Sequence, residues 1–253
     1  MPLPLDPARV RAILLDIEGT TTSIEFVYNT LFPYAREHVA EFLINNFESQ
    51  PVQDAVGELR RAWEGDARAH SECPPWLADT RHTEIASAAA YCRWLIERDR
   101  KSTPLKSLQG MIWQAGYQSG ELRGHVYPDV PPAFARWKKQ GKTISIFSSG
   151  SVLAQKLIFA HAVSESGTAN LTGFITSYFD TTTGPKKEAE SYRKIAAALR
   201  VPAGAVLFLS DSVAELEAAR SARIVTALSA RPENPPVGPN AHPVIRSFDE
   251  VLP

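Results

Sequence analysis

Arg11-Ala-Ile-Leu-Leu-Asp16-Ile-Glu18-Gly-Thr20-Thr21-Thr22 is the stretch on which the reading of the whole chain turns. The apolar run Ala12 to Leu15 predicts a buried strand. It ends in an acid, then a second acid two positions on, then a glycine and three hydroxyl residues. Strands buried inside parallel sheets read as continuous apolar runs, and ligands of such sheets bind beyond the strands' carboxyl ends. Asp16 and Glu18 are therefore expected at the mouth of a sheet, with backbone amides and threonine hydroxyls around them. That setting suits a metal ion and a phosphate. Taken alone, the stretch is equally a strand closed by an Asx-type turn, so the decision rests on whether other strands end the same way.

Two others do. Lys142-Thr-Ile-Ser-Ile-Phe147 runs into Ser148-Ser149-Gly150-Ser151, and Ala205-Val-Leu-Phe-Leu209 runs into Ser210-Asp211-Ser212. A short strand is expected at Ile175–Phe179, then a turn through Gly184-Pro185, with Lys186 opening a helix that reaches Arg200. Helical spacing recurs at 129–140, 152–161 and 213–222, a further strand at 223–228, and a proline-rich loop at 231–243. Strands alternating with helices predict an α/β fold built on a doubly wound parallel sheet. Right-handed crossovers return every strand in the same direction, so all three polar strand ends fall on one edge.

Between the first strand and residue 125 the rhythm breaks. Four amphipathic helices follow one another with no strand between them. They are expected at about Thr30–Phe47, after Pro51 (Val52, Val56, Leu59, Trp63 and Ala67 on one face), at Thr83–Asp99 (Ile85, Ala89, Cys92 and Leu95 inward) and at Pro104–Tyr117 (Leu105, Leu108, Ile112 and Ala115 inward). Such a run cannot be the crossover helices of a parallel sheet. It predicts an all-helical domain, residues 25–124, inserted into an α/β core made of 1–24 and 125–253.

Composition bounds the partners. The 253 residues are 44% hydrophobic and 22% charged, with a formal net charge of −1, which describes a globular protein with an ample core. No basic stripe is present, so nucleic acid is not an expected partner. Cys73 and Cys92 lack metal-ligand spacing and read as reduced thiols of a cytoplasmic protein. Met1 to Val10 is too proline-rich and polar for a signal sequence, and no apolar run approaches the ~20 residues of a membrane helix. A monomer is the default expectation.

The converging residues supply what phosphoryl transfer needs: a nucleophile, charge neutralisation and a proton donor for the leaving group. Asp16 can attack phosphorus through one oxygen while the other binds Mg2+. Asp211 is the expected second metal carboxylate, and Mg2+ prefers one or two carboxylates with water and substrate phosphate. Ser148 and the amides after it would hold phosphate oxygens. Lys186 would neutralise the phosphate and Asp16, and Glu18 is placed to protonate the leaving oxygen. Each part also has a plain structural use: a serine cap, a solvated lysine, an aspartate N-cap.

In this order the residues resemble the haloacid dehalogenase superfamily, and the resemblance covers nearly the whole chain. Asp16 matches its aspartyl nucleophile, Ser148 its second motif, Lys186 its third and Asp211 its metal-binding acid, with the helical insertion at the place of its cap. One position departs: Glu18 stands where the second aspartate is usual. That departure, with Leu31-Phe-Pro-Tyr34, Asp99-Arg-Lys-Ser-Thr103, Leu108-Gln-Gly110, Ala154-Gln-Lys-Leu157 and Ser191-Tyr-Arg-Lys194, is similar to the enolase-phosphatase family within it. The resemblance implies one Mg2+ per chain and a methionine-salvage reaction that enolises 2,3-diketo-5-methylthiopentyl-1-phosphate and then removes its phosphate. It implies Asp16, Glu18 and Asp211 at the metal, and Ser148, Ser149 and Lys186 on the substrate. Glu18 can contribute a main-chain carbonyl to the metal whatever its side chain does. Arg100, Lys101, Lys106 and Gln109 are candidates for facing the site from the helical insertion. Two alternatives remain. One is another Mg2+-dependent small-molecule phosphatase of the superfamily. The other is a phosphoacceptor receiver module, which the insertion and the acid after Asp16 disfavour.

Overall fold

The structure, a computed structural model, describes residues 6–100, 102–164, 167–236 and 238–253. Lys101 and the first five residues therefore lie outside the described residues. The chain divides into two compact units, Met1–Val27 with Arg123–Pro253, and Tyr28–Leu122.

In chain order, β1 (Ala12–Leu15) and the single-turn α1 (Ile24–Phe26) lead through a π-helical turn, Val27–Leu31, into the second unit. That unit holds α2 (Phe32–Asn46), α3 (Gln50–Ala69), α4 (Arg81–Glu97) and α5 (Thr103–Ser119). The first unit resumes with α6 (Val130–Lys139), β2 (Thr143–Phe147), α7 (Val152–Ala160), β3 (Ala162–Ser164), β4 (Gly167–Ala169) and β5 (Ile175–Phe179). It ends with α8 (Ala189–Leu199), β6 (Val206–Ser210), α9 (Val213–Ser221), β7 (Val225–Ser229) and β8 (Val244–Ile245).

The helical unit forms because each helix carries one apolar stripe and buries it on its neighbours. Helix α2 packs on α4 and α5, and α3 on α5 and α4. Thr80 and Thr83 cap α4 reciprocally, each side chain accepting from the other's backbone N–H. One expectation needs correction: Ala115 is exposed, while Trp63 and Ala67 on α3 are half-buried. Gly116, not Ala115, faces inward, because the Tyr34 ring lies where its side chain would be: a Cβ there would come within 2.6 Å of Tyr34 Cζ.

The first unit is built on a six-stranded parallel sheet in the order β5-β2-β1-β6-β7-β8. Every residue of β1 is fully buried, as befits a central strand covered on both faces. From β1 the chain winds outward through β2 to β5, then crosses back to β6 and winds the other way. With right-handed crossovers this reversal places helices on both faces. Helices α8 and α9 cover one face, packing Tyr192, Ile195, Leu216 and Ala219 on Leu14, Phe147 and Phe208. Helices α6 and α7 meet through Phe134 and Phe159, 6.0 Å between ring centroids, and pack on β2 and β5. The strands β3 and β4, too short to read in advance, pair antiparallel as a separate two-stranded sheet.

Lys186 does not open a helix. It sits in a turn, and α8 begins three residues later at Ala189. Gly184 explains the delay: its φ of +147° bends the chain where a side chain would strike Ser191 Oγ, 2.3 Å from the Cβ position. Arg223 likewise precedes its strand, in the left-handed region at φ +65°.

Candidate active site

Strands β2, β1 and β6 are neighbours, with Leu15 in register with both Ile146 and Leu209. Asp16, Ser148 and Asp211 therefore emerge together from the carboxyl edge of the sheet. Asp16 is buried at 4% exposure. Its N–H donates to Leu209 O (3.0 Å), and its Oδ1 accepts from Ile17 N–H (2.8 Å). Lys186 Nζ reaches the same Oδ1 at 2.7 Å. It stands equally close, 2.7 Å, to Glu215 Oε2.

Glu215 is the residue of this cluster that the sequence reading passed over. It lies four positions after Asp211 in the first turn of α9, and that spacing, one helical turn from a strand-end acid, was the available signal. Ser210 Oγ ties the group together, 3.1 Å from Glu215 Oε2 and 3.3 Å from Asp16 Oδ2, while accepting from Ser212 N–H at 3.1 Å.

The backbone that carries Lys186 is held from α8. Ser191 Oγ donates to Pro185 O and Tyr192 Oη to Lys186 O, both at 2.7 Å. Tyr192 is itself locked in the core, its ring 5.5 Å edge-on to Phe147 and 5.1 Å from Phe208. Burial, with the Glu215 and Asp16 charges, pushes its phenol well above the usual range, so it remains a donor.

The electrostatics are dominated by carboxylates. Burial works against the Lys186 ammonium, but the Asp16 and Glu215 charges and hydrogen bonds outweigh it and hold the amine above its ordinary range. Burial, then the charge of Asp16, also pushes Glu215 upward, against the opposing pull of Lys186. Asp211 is pushed up to about 7, chiefly by burial and next by Asp16, with Glu18 adding to the effect.

Glu18 is half-buried, and its backbone pairs with Thr22 across the turn. The three threonines do not ring a ligand as expected: all are fully buried. Thr21 Oγ1 lies 3.2 Å from both Asp16 O and Ile17 O, and Thr22 Oγ1 meets His125 Nδ1 at 2.8 Å. Thr21 and Thr22 brace the turn instead, because a hydroxyl removed from water needs a partner nearby, while the buried Thr20 Oγ1 has no hydrogen-bond partner among the described residues. Ser148 is buried, with Oγ accepting from Gly150 N–H at 3.1 Å, and Ser149 is half-buried beside it. Ser151 caps α7, accepting from Ala154 N–H. In the helical unit, Arg100 pairs with Asp66 at 2.5 Å and Gln109 is buried, while Lys106 is half-buried.

The donor set fits a hard divalent cation. Asp16, Glu18, Asp211 and Glu215 put four carboxylates at one strand edge against the single ammonium of Lys186, and the upward shift of Asp211 is the mark of a carboxylate short of positive charge. Among the described residues, no three His, Cys, Asp or Glu side chains form a ready-made cage. Mg2+ needs none, since it is held by one or two carboxylates with water and substrate oxygen.

Comparison with known proteins agrees with this geometry. Residues 10–223 match the haloacid dehalogenase-like hydrolase family. Solved dehalogenase structures at 18% identity share the fold, with a TM-score of 0.52 over 95% of each chain. The chain is similar to enolase-phosphatase E1 of Synechococcus elongatus, 49% identical over 99% of this chain and 100% of that one. It is also similar to enolase-phosphatase E1 of Sorangium cellulosum, 46% identical over 96% and 97%. The UTR4 protein of Saccharomyces cerevisiae has a crystal structure that superimposes with a TM-score of 0.76, at 34% identity over 95% of this chain and 99% of that one. The fold and site thus define a haloacid dehalogenase-like hydrolase. More narrowly, the chain belongs to the enolase-phosphatase E1 family, enzymes of methionine salvage. Among the described residues no helix is long and apolar enough to cross a membrane.

Proposed function

We propose that this chain enolises 2,3-diketo-5-methylthiopentyl-1-phosphate and then hydrolyses the phosphate ester through an aspartyl-phosphate on Asp16. The observation that carries the reading is the placement of Asp16 at the end of β1, with Lys186 at 2.7 Å from its carboxylate and Asp211 at the adjoining strand end.

The residues divide the work. Ser148 Oγ accepts from a backbone amide, which leaves its own proton for a phosphate oxygen, and Ser149 follows it in the same turn. Lys186, held cationic, offsets the charge of the phosphate as Asp16 approaches. An oxygen of Asp16 bonds to phosphorus, the bond from phosphorus to the substrate's C1 oxygen breaks, and Glu18 supplies that oxygen with a proton. Water then attacks the acyl phosphate, with Glu18 taking its proton, and Asp16 and inorganic phosphate are released. Asp16, Asp211 and the main chain of Glu18 would hold one Mg2+. When bound, it supplies charge neutralisation at the phosphate and Lewis-acid polarisation of the diketone. The helical unit, 28–122, is assigned the choice of substrate.

Asp16→Asn is expected to abolish phosphate release while substrate still binds; release near the wild-type rate would sink the covalent route. Following enol absorbance and phosphate separately in Glu18→Gln and Glu18→Asp tests the side-chain role. If Gln leaves both steps intact, Glu18 acts through its backbone alone. Phosphate release with no transient enol would favour a plain phosphatase.

A further inference from the structure

The loop after β7 holds two groups that no step above uses, the buried Arg231 and the half-buried Asn234. Arg231 donates through Nε and Nη2 to Thr20 O, at 3.0 and 2.9 Å. Its Nη1 pairs with Asp129 Oδ2 at 2.7 Å, and its guanidinium lies 4.3 Å from the Tyr127 ring centroid and 4.6 Å from that of Phe248. Three residues on, Asn234 Nδ2 donates to Gly19 O at 2.9 Å and to Ser229 O at 3.1 Å. Arg231 and Asn234 thus grip the two carbonyls that directly follow Glu18.

Both hydrogens of the Asn234 amide are spent on Gly19 O and Ser229 O, which fixes which way the amide faces. Its Oδ1 is buried and receives no donor among the described residues. The oxygen lies 2.8 Å from the point a Cβ on Gly19 would occupy, and Asp211 Oδ2 lies 2.6 Å from the same point. Gly19, at φ +63°, leaves that point open. Two acceptor oxygens from separate strand ends therefore converge beside the Glu18–Gly19 peptide. They repel each other unless a donor or a cation stands with them. A hydrated Mg2+ keeps several waters, whose protons need outward-facing acceptors.

We propose that Asn234 is a positioning residue of the cation site. Its NH2 group fixes the Gly19–Thr20 peptide, one residue after the Glu18 carbonyl, and its Oδ1 accepts a hydrogen bond from the hydration shell of a divalent cation held at Asp211. The inference rests on the reading of Asp16, Glu18 and Asp211 as that cation's site. The test is calorimetric titration of Mg2+ alone into the full-length wild type, Asn234→Ala, Asn234→Asp and Asp211→Asn, with the metal-free melting temperature of each. Asn234→Ala is expected to weaken Mg2+ binding by about tenfold or more. Asn234→Asp keeps the oxygen but loses the NH2 group, so it should lose less Mg2+ affinity than Asn234→Ala, while both variants melt lower for want of the two NH2 hydrogen bonds. Mg2+ affinity within twofold of wild type in Asn234→Ala, or an equal loss of affinity in both variants, would overturn the proposal and leave Asn234 a fold-stabilising residue only. If Asp211→Asn binds as the wild type does, or the wild type binds no Mg2+, the cation site itself is wrong and the role of Asn234 falls with it.

Discussion

Lys186→Met keeps the side-chain stem and removes one charge, and its cost follows from the geometry. Nζ stands 2.7 Å from Asp16 Oδ1 and 2.7 Å from Glu215 Oε2, and none of the three side chains exceeds 11% exposure. At an effective dielectric of about 20, each contact gains about 4 kcal/mol at ~4 Å separation. Much of that is offset by desolvation of the ammonium and by repulsion between the two carboxylates. Removing one partner of a buried pair nonetheless costs about 3–5 kcal/mol, because the others are left uncompensated. That range is expected for the α/β unit of Lys186→Met in metal-free buffer. Urea unfolding followed by circular dichroism measures it, with the transitions of the two units treated separately. Glu215→Gln added to Lys186→Met should recover part of the loss, with a coupling of at least ~1 kcal/mol. The loss should also be smaller at pH 6 than at pH 8, since Glu215, already raised, takes up a proton once its cation is gone. Phosphate release should fall by about 10²-fold or more. A stability loss under about 1 kcal/mol, additive with Glu215→Gln, would refute the view that Lys186 is the shared counter-ion of two buried carboxylates.

Three further outcomes follow from single contacts. Tyr192→Phe deletes the bond to Lys186 O and should cost about 1 kcal/mol. It should lower kcat more than it raises KM, as measured by steady-state phosphate release, because it loosens Lys186, the group proposed to meet the reacting phosphate. Gly19→Ala forces a Cβ into a left-handed residue and to within 2.6 Å of Asp211 Oδ2. It should cost about 1–3 kcal/mol and weaken Mg2+ binding, both readable from melting curves with and without Mg2+. The third concerns pH. Asp211 rises from 3.8 to about 7 on folding, so it disfavours the charged form. Its contribution to metal-free stability is complete below about pH 4 and is lost as pH rises through about 7. The melting temperature of wild type relative to Asp211→Asn should therefore fall between pH 5 and pH 8, and the rise produced by Mg2+ should grow over the same interval. A flat difference would show that the carboxyl is not shifted.

The three strand ends were legible without coordinates because burial on both faces of a parallel sheet favours apolar runs, unbroken at 12–15 and 205–209 and interrupted by Thr143 and Ser145 in 143–147. Each of the runs 12–15, 143–147 and 205–209 stops abruptly at a polar group. The helical insertion was legible for a related reason, since four successive stripes of period 3.6 admit no strand. Those two patterns determine the fold class and single out Asp16 and Asp211 as candidate site acids. What the pattern could not supply were partners distant along the chain. That Lys186 sits in a turn, bridges Asp16 and Glu215, and is held by Ser191 and Tyr192 depends on side chains brought together by the crossover from β5 to β6. Periodicity placed Ala115 inward, but only the Tyr34 ring determines that Gly116 faces it. The threonines after Glu18 look like ligands in one dimension, and packing turns them inward. Asn234 and Arg231 read as part of a proline-rich loop, and only the return of that loop onto Gly19 and Thr20 makes them part of the site. Hydrophobic period is a local property and survives in the sequence; the pairing of buried polar groups is settled only once the strands lie side by side.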